Sequence, residues 1–252
     1  MINNVLPASE KGYIVNILSD NDSLFTAYPS HTNTPVASDQ NSLFDYSPYT
    51  YLAGSDESGK GDYFGPLVTV AFTCSKEDIN KLKQYGVKDS KLLNDEKITI
   101  IAKNIINDFK DNYESLILMP ELYNKVYKEF SSLKNGLNEL LAWSHSQVIG
   151  NLYKKHQFEI VTIDKFAKEK VIEFYVKKEC QVKMNIVTKA ESDIVVATAS
   201  VIARYFYIKL LKYLSEKYNV ALLKGASNKV KEQKRNIDKN ILPFICKLHF
   251  KM

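Results

Sequence analysis

The sequence predicts an α/β protein, a mixed five-stranded sheet flanked by helices. Three observations carry this. From residue 49 onward, short β-prone apolar runs recur between segments of helical periodicity. The first two runs are joined by a Gly-rich stretch too short for a crossover helix, which makes those strands antiparallel. The later runs alternate with helices, as parallel strands with crossovers do. The resulting order is ββαβαβαβα, and its apolar helices need both faces of a sheet to cover.

Each element follows from local chemistry. Tyr49 to Ala53 is β-prone and leads into Gly54-Ser-Asp-Glu-Ser-Gly-Lys-Gly61. Pro66 to Thr73 is a strand of the buried type. Asn94-Asp-Glu-Lys opens a helix with a capping side chain and two acids, and Ile98, Ile101, Ala102, Ile105, Ile106 and Phe109 follow at helical spacing. Ser115 to Met119 is a short strand stopped by Pro120. Gly136 to Lys155 is helical, with Leu137, Leu140, Leu141, Ser144, Val148 and Leu152 on one face. Phe158 to Ile163 is a strand ending at Asp164, and Lys168 to Lys178 a helix. Val182 to Thr188 is a strand ending near Glu191, and Ser192 to Tyr218 one long helix.

The first fifty residues differ from the rest. They hold Lys11 against Glu10, Asp20, Asp22, Asp39 and Asp45, a net of −4, within a chain of 252 residues whose net charge is +5. Tyr13 to Leu18 is a candidate strand, but Ser19 to Pro48 has loop composition. Residues 1–48 therefore read as a short atypical N-terminal segment and 49–252 as the main domain. Cys74, Cys180 and Cys246 are too few and scattered for a disulfide framework. No signal peptide is legible, and no apolar run approaches the ~20 residues that span a bilayer. The expected setting is the reducing cytoplasm, with no membrane partner.

The acids carry the chemistry. Asp56 and Glu57 end the first strand, Asp164 ends a later one, and Glu191 stands between a strand and the long helix. In open sheets ligands bind at the carboxyl ends of parallel strands. Four carboxylates gathered there repel one another unless a cation compensates. Hard divalent ions such as Mg²⁺ or Mn²⁺ prefer such oxygen ligands, and a pair of them serves in-line phosphoryl displacement. The competing P-loop reading of Gly54 to Lys60 fails. Gly61 replaces the Ser or Thr that binds magnesium, a strand follows instead of a helix, and two acids would sit in the phosphate cradle.

Asp56-Glu-Ser-Gly-Lys-Gly-Asp-Tyr-Phe-Gly-Pro66 resembles the opening active-site motif of type 2 ribonucleases H, in particular the ribonuclease HIII branch. Val87-Lys-Asp-Ser-Lys91, Tyr123-Asn124 with Leu140 to His145, Lys189-Ala-Glu-Ser192 with Val196 to Arg204, Lys224-Gly-Ala-Ser and Lys247-Leu-His-Phe250 are similar to later motifs, in order, from about residue 50 to the C-terminus. Glu191 and Lys60 resemble the HIII form; the HII branch has Asp and Arg there.

The resemblance implies an RNase H-like fold. It implies cleavage of the RNA strand of RNA–DNA hybrids by a monomer with two Mg²⁺ or Mn²⁺ ions, leaving 5′-phosphate and 3′-hydroxyl ends. Asp56, Glu57, Asp164 and Glu191 become the catalytic and metal-binding residues. Ser58, Gly59, Lys60, Gly61 and Lys91 become substrate contacts, the turn sensing the 2′-hydroxyl that distinguishes RNA from DNA. Two alternatives stay open: HII-like cleavage at single embedded ribonucleotides, and a catalytically weakened hybrid-binding protein.

One departure is the N-terminal substrate-binding domain usual in the HIII branch, which looks reduced or absent. Grip would then rest on lysines of the main domain and on residues 224–252, with eight bases against Glu232 and Asp238. Trp143 and His145 read as packing residues. His249 and Phe250 read equally as nucleic-acid contacts or terminal packing. Ser200 and the alanines at 197, 199 and 203 are expected to let the long helix approach the sheet, and Lys91 to meet a phosphate or a surface carboxylate.

Overall fold

The computed structural model describes residues 45–88, 90–133 and 136–250. The expected strand at Tyr13 to Leu18 and the loop-like segment up to residue 44 lie outside the described residues.

Among the described residues the strands are β1 (Tyr51–Ser58), β2 (Leu67–Ser75), β3 (Tyr113–Leu118), β4 (Ile160–Asp164) and β5 (Lys183–Val187), which form one sheet in the order β3-β2-β1-β4-β5. β1 is antiparallel to β2 and parallel to β4, β2 is antiparallel to β3, and β4 is parallel to β5. The sheet is mixed, as the spacing of its strands predicts. β1 runs further than expected. It continues through the glycine and the two acids to Ser58, with Asp56 opposite Val70 and Glu57 opposite Thr69.

The helices are α1 (Ile79–Gln84), α2 (Asp95–Asp108), α3 (Pro120–Ser131), α4 (Gly136–Lys155), α5 (Glu169–Glu179), α6 (Ile194–Lys217), α7 (Asn228–Arg235) and α8 (Leu242–Ile245). α2 starts where its cap predicts: the Asn94 side chain accepts from Lys97 N at 2.9 Å. Pro120 ends β3 and serves as the first residue of α3, where its missing N–H costs nothing. The short helices α1, α7 and α8 carry too few apolar positions for periodicity to reveal them.

α6 covers one face of β1 and β2, and α4 with α5 the other. Gly54 is what lets α6 come so close, because a β-carbon there would lie 2.4 Å from Val196 N. The buried alanines 197, 199 and 203 add to the fit. On the opposite face Ala53, Ala71, Val148, Ile149, Leu152, Phe158, Val161, Ile163, Ile172 and Val176 form one apolar cluster. Burial of the valine, leucine, isoleucine and phenylalanine side chains among them stabilises by about 1.5–3 kcal/mol each. Against the sequence expectation, α6 is by itself long and apolar enough to cross a membrane, but it is mostly buried against the sheet. The three cysteines are free and buried.

Candidate active site

The site is built at the carboxyl ends of β1 and β4 and in the turn after β5. Side chains alternate along a strand, so consecutive residues leave opposite faces. On β1 this sends Asp56 toward α6, where Ser200 hydrogen-bonds to it, and Glu57 toward α4, where His145 waits. Parallel pairing sets Ser55 against Ile163, one residue short of Asp164. Asp164 Oδ1 in turn accepts from Ala190 N at 3.1 Å, tying β4 to the short 3₁₀ turn that carries Glu191. That turn begins at Lys189, whose φ of 60° is left-handed. It ends at Asp193, which caps α6 by accepting from Val195 N at 2.9 Å.

The electrostatics follow from this crowding. Burial, and then the charge of Glu57, push the Asp56 carboxyl above its usual range; Asp164 adds to the push and the Ser200 hydrogen bond opposes it. For Glu57 burial also favours the neutral form, but the bond to His145, its charge and Lys60 outweigh it and hold the group low. Burial likewise opposes ionisation of Glu191, yet hydrogen bonding from its own backbone and from Lys91 keeps its carboxyl below the ordinary value. Lys60 Nζ stands 3.4 Å from Glu57 Oε1, and Lys91 Nζ 3.2 Å from Glu191 Oε1.

The donor set is all oxygen and strongly negative, which suits a hard divalent cation. Among the described residues no three His, Cys, Asp or Glu side chains already form a closed ion-binding cluster. The four carboxylates come from the ends of β1 and β4 and from the turn after β5. A cavity of about 120 Å³, bounded by Tyr46, Leu52, Ile160, Asn185 and Val195, contains none of them.

The turn after β1 divides the expected substrate contacts. Ser58 is the last residue of β1. Gly59 has φ +88°, and a β-carbon there would lie 2.1 Å from Pro66 O, so the fold itself requires this glycine. A β-carbon on Gly61 would meet nothing within 4 Å, which leaves room for another molecule. Lys60 is 35% and Lys91 75% exposed at the side chain. Within the Asp-Ser-Lys segment, Asp89 lies outside the described residues, while Ser90 Oγ meets Ser200 Oγ at 2.8 Å.

Several expectations change. His145 is not mere packing: it is wholly buried and bonded to Glu57. The sequence held one signal for this, a histidine flanked by serines within an apolar helix. Ser200 does more than save space, since it bonds both Asp56 and Ser90. Trp143 is core, 5.8 Å from the Phe130 ring. His249 and Phe250 belong to terminal packing. His249 Nδ1 is 3.2 Å from Tyr123 Oη, and Phe250 meets the Tyr63 ring edge-on at 6.2 Å. Two tail lysines are committed: Lys224 pairs with Asp95, and buried Lys247 donates to carbonyl oxygens of Asp62 and Gly65 at 2.8 and 2.7 Å.

Comparison with known proteins agrees with the geometry. The family model described as ribonuclease HII matches residues 53–252. Ribonuclease HIII of Chlamydia felis is 38% identical over 206 residues, which is 79% of this chain and 67% of that protein. Ribonuclease HIII of Protochlamydia amoebophila is 34% identical over 252 residues, 98% of this chain and 78% of that protein. Among solved structures, Bst-RNase HIII in complex with Mn²⁺ superposes with a TM-score of 0.69 at 32% identity, covering 80% of this chain and 67% of that one. With the family model matching most of the chain and ribonucleases HIII among its relatives in sequence and fold, the chain belongs to the ribonuclease HII/HIII family.

Proposed function

We propose that this chain hydrolyses the RNA strand of RNA–DNA hybrids at the site formed by Asp56, Glu57, Asp164 and Glu191. Ribonuclease H activity on such hybrids goes with the family. The assignment of these four residues to it rests on one observation: carboxylates from separate segments stand at the carboxyl ends of the adjacent parallel strands β1 and β4 and in the turn after β5. Two Mg²⁺ or Mn²⁺ ions would be held by these four groups, and when bound they supply charge stabilisation to the attacking and leaving oxygens. The Mn²⁺ complex of Bst-RNase HIII supports that choice of ion.

The chain's own groups do the rest. Lys60, beside Glu57, and Lys91, beside Glu191, meet phosphates as point charges. Ser58 to Gly61 bring backbone close to a sugar edge, and the open space at Gly61 accommodates it. The product ends are 5′-phosphate and 3′-hydroxyl. Residues 49–252 act as the catalytic domain of a cytoplasmic monomer, and 1–48 as a short atypical N-terminal segment. The family match beginning at residue 53 supports that division.

The test offers the protein a uniform RNA–DNA hybrid and a DNA duplex holding one ribonucleotide, each in Mg²⁺ and in Mn²⁺. Cleavage at many sites in the hybrid's RNA strand is expected. Cleavage only beside the single ribonucleotide would make it HII-like, and binding without cleavage would reduce it to a hybrid-binding protein. Asp56→Asn should lower the rate at least about 100-fold, the effect of losing a few kcal/mol of transition-state stabilisation.

A further inference from the structure

His145 is unusual among the buried polar groups because both ring nitrogens are engaged and one partner is a candidate metal ligand. It sits on α4 with no exposed surface. Its Nε2 is 3.0 Å from Glu57 Oε2, and its Nδ1 is 2.7 Å from Ser55 Oγ, two residues earlier on the same face of β1. Ser55 Oγ also lies 3.0 Å from Val70 O. Phe166, two residues beyond Asp164, stacks on the imidazole at 4.9 Å between centroids.

We propose that His145 is a positioning residue that locks the rotation of the Glu57 carboxylate, committing Oε2 to the protein and leaving Oε1 as the oxygen offered to a cation. This rests on the functional reading above. The donor and acceptor roles of the groups make it specific. An ionised carboxylate only accepts, so the proton facing Glu57 belongs to Nε2. Ser55 then satisfies Nδ1 in either role. Its hydroxyl donates to a bare Nδ1, or it turns to Val70 O and accepts from Nδ1–H. The ring therefore keeps Nε2–H on Glu57 whichever way the hydroxyl points, and Phe166 prevents the ring from flipping out. Lys60 Nζ approaches the other oxygen, Oε1, which marks the side of the carboxylate that faces outward.

The test uses His145→Phe, His145→Gln and Ser55→Ala in the full chain. Phenylalanine keeps the ring volume and the stack on Phe166 but has no donor; glutamine restores an amide N–H near the Nε2 position. Each variant is titrated calorimetrically with Mn²⁺ without substrate, then assayed on hybrid for kcat and KM separately, with thermal melting as the control for folding. His145→Phe should bind Mn²⁺ roughly 10–100-fold more weakly and lose kcat by a similar factor, as the loss of such an outer partner does, with KM little changed. His145→Gln should recover most of both, and Ser55→Ala should show a smaller loss in the same direction. Wild-type Mn²⁺ affinity and kcat in folded His145→Phe would reduce His145 to packing. Should that variant not fold, wild-type values in Ser55→Ala together with no recovery in His145→Gln would overturn the proposal. A wild-type protein that takes up no Mn²⁺ would instead overturn the metal-site assignment itself, and this positioning role with it.

Discussion

Asp56 and Glu57 are adjacent in sequence, yet the pleat of β1 gives them separate surroundings. One looks to Ser200 on α6, the other to His145 on α4. The same separation of neighbours applies to the two glycines of the turn. Gly61→Val should fold normally and lose hybrid cleavage, since only a bound molecule would meet the new side chain. Gly59→Val should lose folding as well, because it pairs a left-handed φ with a contact to Pro66 O. Circular dichroism and the cleavage assay on both variants separate these outcomes, and full activity in Gly61→Val would remove the turn from substrate recognition. At the C-terminus burial, aided by the Lys247 charge, lowers the His249 pKa to about 4. The unfolded chain takes its proton first, near pH 6.5. The stability that His249 contributes is therefore complete above about pH 6.5 and lost as the pH falls toward 4. The urea midpoint of the wild type should drop across that window by more than that of His249→Gln; parallel curves would discount the effect.

The element that most constrains the turn is not β1 but the C-terminal segment. Gly65 N donates to Ile245 O at 2.9 Å, Tyr63 N to Gly225 O at 3.0 Å, Gly225 N to Asp62 Oδ1 at 2.6 Å, and Lys247 Nζ to the carbonyl oxygens of Asp62, Phe64 and Gly65. Deleting residues after Lys224 would therefore dismantle the turn as well as remove charge. Lys247→Met leaves buried carbonyls without a donor. It should destabilise the protein by about 2–4 kcal/mol, from about 1–3 kcal/mol for each unmet group, and raise KM for hybrid more than it lowers kcat. Urea denaturation and steady-state kinetics measure both, and an unchanged midpoint would show the carbonyls finding water instead. Helix α2 provides a simpler case: Asn94→Ala removes the acceptor for Lys97 N and should cost about 0.5–2 kcal/mol. That cap, the Pro120 boundary and the period of α2 were legible because they are local. The 3₁₀ turn at Ala190, entered through left-handed Lys189, was not. No propensity rule assigns φ > 0 to a lysine; the fold imposes it at the entry to the turn that carries Glu191 and that bonds Asp164 through Ala190 N.

Across the whole molecule, charge is arranged by what the tail touches. Lys229, Lys231 and Arg235 ride on α7, held down by buried Val230, whereas Lys224 and Lys247 are already paired within the protein. Replacing the first three with glutamine should weaken hybrid binding and lower the slope of log K against log salt by roughly 0.7–0.9 for each phosphate no longer neutralised. An unchanged slope in fluorescence-anisotropy titrations would leave α7 as a solvated surface helix. The sequence alone determined the mixed α/β sheet, because alternation of apolar runs and helical periods is a local property that survives any tertiary arrangement. It also singled out Asp56, Glu57 and Asp164, at strand ends, and Glu191, between a strand and the long helix, as candidates. Only the folded chain decided which face each acid takes. It also decided that Gly59 serves the fold while Gly61 is open, that Lys247 is an internal anchor, and that His145 and Ser200 stand behind two of the carboxylates. Apart from the contact of Gly59 with nearby Pro66, those assignments depend on pairings between residues roughly ninety to two hundred positions apart, and short-range chemistry cannot encode which distant donor a buried acceptor will find.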